Sequence, residues 1–335
     1  MKAVALVASG DARVVDIAEP QGAPGDVLLK VEMIGLCGTD LNSYRGRNPL
    51  VTYPRVIGHE IAATVLRGTP TCPEGTHVTV SPYTSCGQCA SCRRGRYNAC
   101  QNNQTFGVQR DGALTELLSV PESRLYPSTL PLRALSLVEP LTVGVHAVAR
   151  GRVTSSDTVA VFGCGGVGLG AIAGAAGRGA RTVAIDVDDA KLETARLAGA
   201  TDLIHSGRED FRARLRELNE GRGPDVIIEA IGLPETFRAA VEEVAFTGRV
   251  VYIGYAKEPV AYETKLFVQK ELDILGSRNA QPEDFREVIS LLESGKFPTE
   301  KAISAVITME DVPRMLAEWS NAPAGITKIL VQVSA

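Results

Sequence analysis

Hydrophobic and polar residues follow two different patterns in the two halves of the chain. Up to about residue 120, short apolar or alternating runs are separated by glycine and proline. The predicted strands of this half are a first strand near Met1 and residues 27–31, 61–65 and 77–80. The pattern predicts an irregular β domain with long loops.

From about residue 141, apolar runs alternate with segments of helical period. The predicted strands are residues 159–162, 182–185, 225–228 and 249–253, and the predicted helices are residues 190–197, 211–218 and 283–293. This alternation is typical of a doubly wound parallel sheet covered by helices on both faces. Residues 328–333 predict a final strand.

The composition excludes several classes of protein. The 335 residues suffice for two domains, and 35 Lys and Arg against 39 Asp and Glu argue against a nucleic-acid partner. Residues 158–177 carry no charge, but seven of them are glycine, so they do not predict a membrane span. The N-terminus does not resemble a signal peptide, which together with seven cysteines predicts a reduced, cytoplasmic protein.

A glycine-rich turn follows the predicted strand 159–162 and opens the next helix. Its sequence, Gly163-Cys164-Gly165-Gly166-Val167-Gly168, has the GxGxxG spacing. The first glycine makes the tight turn, the second lets the backbone approach a pyrophosphate, and the third lets the helix pack on the strand. The phosphates would lie at the helix N-terminus, where free N–H groups favour anions.

The strand after this turn ends in Asp186, where an acid can accept hydrogen bonds from an adenosine ribose. Asp188 adds negative charge that would repel a 2′-phosphate. The sequence therefore predicts NAD rather than NADP. The alternative is a glycine turn that only packs a helix on a sheet.

Four cysteines, Cys86, Cys89, Cys92 and Cys100, are spaced by two, two and seven residues. Such a loop can fold its thiolates around one tetrahedral Zn²⁺, and a site with four protein ligands is closed and structural. An iron–sulfur cluster is the main alternative, because similar spacings occur in ferredoxins. A redox-active CxxC pair would explain only two of the four thiols.

A third set of residues, Cys37, His59, Glu60 and Glu139, is scattered along the first half of the chain. One thiolate, one imidazole and one or two carboxylates could hold a Zn²⁺ with a position left open for catalysis. Their spacing along the chain does not show that their side chains lie close together in the folded protein. Read singly, Cys37 could be a small buried hydrophobe, His59 a core histidine and Glu139 a solvated charge.

The order of these motifs carries a resemblance. Along the chain come Cys37-Gly38-Thr39-Asp40, Gly58-His59-Glu60, the four-cysteine loop, Glu139-Pro140-Leu141 and the glycine turn. In this order the whole chain resembles the medium-chain, zinc-dependent alcohol and polyol dehydrogenases. It is most similar to the sorbitol and threonine dehydrogenase branch, because Glu139 stands where plain alcohol dehydrogenases carry a cysteine. Residues 53–60 and 276–280 resemble bacterial sugar-acid dehydrogenases of the L-galactonate 5-dehydrogenase type.

The resemblance implies two domains. Residues 1–142 and 284–335 would form a GroES-like, irregular β-barrel catalytic domain that includes the structural zinc loop. Residues 143–283 would form a doubly wound, parallel-sheet Rossmann domain that binds NAD. The resemblance also implies one catalytic and one structural Zn²⁺ per chain and a homodimer or homotetramer.

The roles of individual residues follow by position. The predicted catalytic residues are Cys37, Thr39, His59 and Glu60; the predicted metal ligands are Cys37, His59, Glu60 and Glu139 at the catalytic zinc and the four loop cysteines at the structural one. The resemblance implies that Asp40 orients His59 and that Thr39 takes the proton of the substrate. The predicted cofactor-binding residues are Gly163, Gly165, Gly166, Val167, Gly168, Asp186, Lys191, Ile231, Gly232, Ile253, Gly254, Ser277 and Arg278. Arg278 could equally be a surface arginine.

The predicted reaction is oxidation of a secondary alcohol of a sugar acid or polyol to a ketone, by hydride transfer to NAD through a zinc alkoxide. Asn42 stands where many relatives carry a histidine that ends the proton relay, and an amide cannot exchange a proton near neutral pH. Loop arginines Arg45, Arg47 and Arg110 favour a carboxylated substrate, although such residues are usually just solvated. The alternatives are a threonine 3-dehydrogenase, a zinc-free quinone reductase and a non-catalytic NAD-sensing protein.

Overall fold

The computed structural model describes residues 1–322 and 325–334. Within them the strands are β1 (Lys2–Ala8), β2 (Asp11–Asp16), β3 (Asp26–Leu36), β4 (Arg55–Val56), β5 (Glu60–Arg67), β6 (His77–Val80), β7 (Leu117–Pro121), β8 (Leu125–Pro127), β9 (Thr158–Phe162), β10 (Arg181–Asp186), β11 (Asp202–His205), β12 (Val226–Glu229), β13 (Arg249–Tyr252), β14 (Asp273–Gly276), β15 (Ala305–Thr308) and β16 (Ile329–Gln332). The helices are α1 (Gly38–Tyr44), α2 (Leu132–Leu135), α3 (Val138–Arg150), α4 (Gly166–Gly177), α5 (Asp189–Leu197), α6 (Phe211–Leu218), α7 (Pro234–Glu243), α8 (Lys265–Gln269), α9 (Pro282–Glu293), α10 (Thr299–Ala302) and α11 (Val312–Asn321).

The chain divides into two compact units. The first comprises Met1–Glu139 and Ile303–Ala335, and the second comprises Pro140–Ala302. The C-terminal division differs from the predicted one, because residues 284–302 belong to the second unit rather than to the catalytic domain. The physical reason is helix α9, which buries Phe285 and Val288 and whose Asp284 lies 2.8 Å from His146 Nδ1 of α3.

The first unit is built on β-sheets. Its larger sheet has the strand order β15-β16-β3-β5-β6-β8, with β7 also paired to β3, and its smaller sheet has the order β2-β1-β4. Strand β3 alternates buried and half-buried residues up to Met33 and is then fully buried to Leu36. The buried side chains of β3, β5 and β6 form one core with Val312 and Leu316 of α11. This unit is the irregular β domain that the first half of the sequence predicts.

The second unit contains one parallel sheet with the strand order β11-β10-β9-β12-β13-β14. All four residues of β12 are buried, as expected for a strand covered on both faces. Strand β9 lies between β10 and β12, where the strand order reverses, and ligands bind beyond the carboxyl ends of strands at such a point. The predicted doubly wound sheet is confirmed.

The uncharged segment 158–177 is divided between two elements of this unit. It consists of β9, a glycine turn and the 12-residue helix α4. Among the helices of residues 1–322 and 325–334, none is both long and apolar enough to cross a membrane.

Candidate metal and dinucleotide sites

The pairing of β3 with β5 brings three distant residues together. The two strands are antiparallel, and Gly35 at the end of β3 faces Glu60 at the start of β5. Cys37 directly follows β3 and His59 directly precedes β5, so the ligand atoms of Cys37, His59 and Glu60 lie within 4.8 Å of one another. A Cβ on Gly35 would lie 1.9 Å from Glu60 Oε2, so only glycine leaves room for this carboxylate. The alternative in which these residues do not meet is therefore excluded.

Asp40 connects the two segments that carry this cluster. Its Oδ2 accepts a 2.9 Å hydrogen bond from the backbone N–H of Cys37, and its Oδ1 accepts one of 3.4 Å from Gly58. Asp40 Oδ1 lies 3.8 Å from His59 Nδ1, beyond hydrogen-bond distance but close enough for strong electrostatic attraction. Burial lowers the pKa of His59, but the Asp40 carboxylate and Cys37 outweigh burial, so this pKa lies well above its ordinary value.

Lys328, which the sequence analysis did not single out, completes the cluster. Lys328 and Glu60 are 4% and 0% exposed. The Lys328 ammonium donates to both oxygens of Glu60 at 2.5 and 2.6 Å and to the carbonyl of Leu36 at 3.2 Å. Burial lowers the pKa of Lys328, but the Glu60 carboxylate outweighs burial and holds this pKa above its ordinary value. Glu60 is therefore fixed beside Cys37 and His59 by its ion pair with Lys328.

Glu139 lies near the cluster but outside the set of atoms within 4.8 Å. It is buried in the first turn of α3 and accepts a hydrogen bond from the hydroxyl of Tyr83. Burial raises the pKa of Glu139, and the electrostatic influence of His59 opposes this rise. Its predicted role as a metal ligand stays a prediction, and Tyr83 is a second residue that the sequence analysis missed.

Cys37, His59 and Glu60 fit a zinc ion by their chemistry. Zn²⁺ takes thiolate sulfur, imidazole nitrogen and carboxylate oxygen, and three protein ligands leave a fourth position open. Thr39, the predicted proton acceptor, is half-buried in the first turn of α1, two residues beyond Cys37. Asn42 lies in the same short helix. The catalytic roles of these residues stay predictions.

The four loop cysteines also meet. The sulfur atoms of Cys86, Cys89, Cys92 and Cys100 lie within 4.8 Å of one another. Tetrahedral Zn–S bonds of about 2.3 Å place sulfurs about 3.8 Å apart, so this spacing fits one ion. An iron–sulfur cluster puts several atoms between its ligands and needs a wider spacing. Hydrogen bonds from Ser91 and from the backbone of Cys92 lower the pKa of Cys89, which favours a thiolate.

The glycine turn of the second unit has the shape of a pyrophosphate cradle. Gly163 has φ of +94°, and a Cβ on Gly168 would lie 1.8 Å from the carbonyl oxygen of Gly163. A Cβ on Gly165, in contrast, would meet no described atom within 4 Å. These properties match the tight turn, the close helix packing and the open approach that a dinucleotide needs.

The predicted cofactor-binding residues lie at or beyond the carboxyl ends of parallel strands or in the helices that follow: Asp186 is the last residue of β10, Lys191 lies in α5, Gly166, Val167 and Gly168 open α4, and the others follow β9, β12, β13 and β14. Asp186 already bonds within the turn, because its Oδ2 accepts from Cys164 N at 2.7 Å and its Oδ1 from Val187 N at 2.7 Å. Among the described residues, Ser277 Oγ and Glu229 Oε2 are buried without a hydrogen-bond partner.

Glu229 organises this edge of the sheet, although no motif in the sequence marked it. Its Oε1 accepts hydrogen bonds from Ile231 N and Gly232 N at 2.9 and 2.8 Å, and its backbone carbonyl accepts from Ile253 N and Gly254 N. Burial raises the pKa of Glu229, although the hydrogen bonds from the backbone of Gly232 and Ile231 act in the opposite direction. Glu229 thereby ties together four of the predicted cofactor-binding residues, two through its carboxylate and two through its backbone carbonyl.

Two of the predicted loop arginines can now be distinguished. Arg45 donates from Nε to Ser320 Oγ at 3.0 Å and from Nη2 to the Ser320 carbonyl, so its guanidinium is committed within the first unit. Arg110 lies instead against the ring of Phe106, with its guanidinium carbon 3.9 Å from the ring centroid. Arg110 thus remains available to a ligand.

Comparison with known families places the chain in one class. The GroES-like domain of alcohol dehydrogenases matches residues 23–131, and the zinc-binding dehydrogenase model matches residues 166–294. An uncharacterized zinc-type alcohol dehydrogenase-like protein of Haemophilus influenzae is 34% identical over 98% of both chains. The L-galactonate-5-dehydrogenase of Escherichia coli K12 is 35% identical over 84% of both chains.

Two solved structures show the same fold with a bound dinucleotide. The alcohol dehydrogenase RspB of Escherichia coli CFT073, in complex with NADH, has a TM-score of 0.91 and 28% identity over 99% of both chains. A zinc-binding dehydrogenase of Sinorhizobium meliloti 1021, bound to NADP, has a TM-score of 0.91 and 30% identity over 99% of both chains. The protein is an oxidoreductase of two-domain, GroES-like plus Rossmann architecture. It belongs to the medium-chain, zinc-dependent alcohol dehydrogenase family.

Proposed function

We propose that this protein oxidises a secondary alcohol of a polyol or sugar acid to a ketone, with NAD as the hydride acceptor. The observation that carries the proposal is the proximity of the half-buried Cys37 to the buried His59 and Glu60, where β3 pairs with β5. The L-galactonate-5-dehydrogenase relative favours a sugar acid over a simple alcohol. We also propose that the protein works in the cytoplasm, because the thiolates of both metal clusters must stay reduced, and, from the family resemblance, that it is a homo-oligomer.

The proposed zinc ion and the proposed dinucleotide would each supply one kind of chemistry. A Zn²⁺ held by Cys37, His59 and Glu60 would supply a Lewis acid that makes an alcohol oxygen more acidic. NAD supplies the hydride acceptor. Contacts within the chain fix the residues that would hold the zinc: Asp40 accepts hydrogen bonds from the backbone of Cys37 and of Gly58, and Lys328 donates to Glu60. Cys37 and His59 thus lie directly next to the paired strands β3 and β5, and Glu60 is the first residue of β5.

The proton of the substrate hydroxyl must leave before hydride transfer. Thr39 is the proposed acceptor, because its hydroxyl can both accept and donate a hydrogen bond. Asn42 cannot continue the transfer as an imidazole would. We therefore propose that the proton passes from Thr39 to water or to a ribose hydroxyl of the cofactor.

The preference for NAD over NADP rests on charge at the end of β10. Asp186 ends this strand, and Asp188 caps α5 by accepting from Ala190 N and Lys191 N at 2.9 and 3.1 Å. Both carboxylates are fixed there by backbone donors, so a 2′-phosphate would meet two negative charges. The dinucleotides found in the two neighbouring structures, NADH and NADP, leave both cofactors open for the family.

A panel of alcohols tests the proposal with both dinucleotides. Hexonates, polyols, aldoses and L-threonine are each offered with NAD and with NADP, and reduction is followed by absorbance. We expect turnover of a polyol or hexonate, with kcat/KM at least about tenfold higher for NAD, which corresponds to about 1.4 kcal/mol. Threonine as the best substrate would favour the threonine 3-dehydrogenase alternative, and no turnover of any alcohol would contradict the proposal.

A further inference from the structure

Two arginines of the first unit, Arg110 and Arg124, are partly buried without an acidic partner. Within residues 1–322 and 325–334, neither guanidinium forms an ion pair or a hydrogen bond, and Arg110 Nε is fully buried. Arg55 shows the usual arrangement of an arginine beside an acid, because its Nη1 lies 3.1 Å from Oδ1 of Asp111, the residue after Arg110. The two unpaired arginines therefore need a separate explanation.

Burying a guanidinium without a counter-ion is costly. Burial lowers the pKa of Arg110, and the neighbouring Arg124 cation lowers it further. Burial also lowers the pKa of Arg124. Two like charges in a partly dry setting repel each other, and an anion placed against both would relieve the repulsion and the lost hydration.

The loop that carries Arg110 is fixed to the segments of the metal cluster. Phe106 N donates to the carbonyl of Pro82 at 3.1 Å, and Pro82 directly precedes Tyr83, the partner of Glu139. Ala113 N donates to the carbonyl of Gly58 at 2.9 Å, and Gly58 directly precedes His59. Both ends of the loop are therefore anchored beside residues of the candidate metal site.

The ring of Phe106 supports one face of the Arg110 guanidinium at 3.9 Å. A cation on an aromatic face is held in plane while its N–H edge stays available to a ligand. The Nε of Arg110 is buried and has no hydrogen-bond acceptor among the described residues. The side chain is thus ordered in advance for a planar or tetrahedral oxyanion.

We propose that Arg110, backed by Arg124, binds a terminal oxyanion of the substrate while the alcohol carbon lies at the Cys37–His59–Glu60 cluster. This inference rests on the proposed function and narrows its substrate class from polyols and sugar acids to those that carry a terminal anionic group. A carboxylate of a sugar acid and the phosphate of a polyol phosphate share this chemistry. The guanidinium can bind either group by donating two parallel hydrogen bonds to its oxygens.

The test compares anionic and neutral substrates in matched variants. Wild-type protein, Arg110→Gln, Arg110→Lys and Arg124→Gln are each assayed with a hexonate, a hexitol and a hexitol phosphate. Arg67→Gln is the control, because Arg67 is exposed at the end of β5 opposite to Glu60. A charge-assisted hydrogen-bond pair is worth about 1.5–3 kcal/mol, so Arg110→Gln should raise KM for the anionic substrate about 10–150-fold. KM for the hexitol should change less than about twofold. For the anionic substrate, KM of Arg110→Lys should lie between that of the wild type and that of Arg110→Gln.

Comparing the hexonate with the hexitol phosphate shows whether the bound oxyanion is a carboxylate or a phosphate. The anionic substrate that the wild type prefers should be the one for which Arg110→Gln raises KM more. An equal loss with hexitol and hexonate would overturn the inference, as would a wild-type preference for the neutral hexitol. Thermal shift by the same anions, without turnover, separates this inference from the proposed function. If no alcohol is oxidised, the proposed function fails, and the inference stands or falls on whether stabilisation by an anion disappears in Arg110→Gln and persists in Arg67→Gln.

Discussion

Replacing Cys37 with serine should lower kcat/KM by about a thousandfold and leave dinucleotide binding unchanged. The metal contributes several kcal/mol of charge stabilisation to an alcohol that loses its proton, and about 4 kcal/mol corresponds to three factors of ten. Cys37 lies in the cluster of the first unit, whereas the glycine turn lies in the second. Steady-state kinetics and NADH fluorescence titration measure the two effects on the same preparation.

The matched control for this substitution is Cys72→Ala. Cys72 is a buried free thiol of the same unit that lies outside both clusters. Its removal should leave kcat within about twofold, since it touches no reacting group. Full activity in Cys37→Ser would refute the metal cluster, and loss of NADH affinity together with activity would indicate a general folding defect instead.

Replacing Lys328 with methionine should give the largest loss of stability of any single change at the site. Lys328 donates to both oxygens of the fully buried Glu60, and removing one partner of such a pair leaves a buried charge, at a cost of about 3 kcal/mol or more. In a unit of this size, each kcal/mol shifts Tm by about 2–4 °C, so differential scanning calorimetry should show a decrease of about 6–12 °C.

Three further variants separate the ion pair from general damage. Lys328→Arg keeps the positive charge and should retain most of the stability. The double variant Lys328→Met with Glu60→Gln removes both charges and should unfold no lower than Lys328→Met alone. Lys30→Met removes a partly exposed lysine 3.4 Å from Glu32 and should cost about 1 kcal/mol at most. A Tm within about 2 °C of wild type for Lys328→Met would contradict the structural role of the pair.

The local motifs were predictable from the sequence because their chemistry is contained in a few consecutive residues. The glycine spacing of residues 163–168 and the order of strand and helix around it define the turn, and the structure has that turn. The four loop cysteines lie within fifteen residues, so their meeting needs only a short loop. The doubly wound sheet followed from apolar runs at regular intervals.

The environment of the metal cluster was not predictable in the same way. Lys328 and Glu60 are separated by 268 positions, and only the pairing of β16 with β3 and of β3 with β5 brings them together. Tyr83 and Glu229 carry no spacing signal, because each acts through a contact that depends on tertiary packing. The boundary at residue 302 was also missed, since the amphipathic pattern of α9 shows that one face is buried but not against which unit.

Anomalous diffraction at the zinc absorption edge tests the central claim most directly. Crystals of protein purified without chelators should show two peaks per chain, one among the four loop cysteines and one beside Cys37 and His59. The second peak is the one that matters, because a strand junction that binds zinc with three protein ligands leaves a position for an alcohol oxygen. A single peak at the loop cysteines, with nothing beside Cys37 and His59, would contradict the proposed alcohol oxidation.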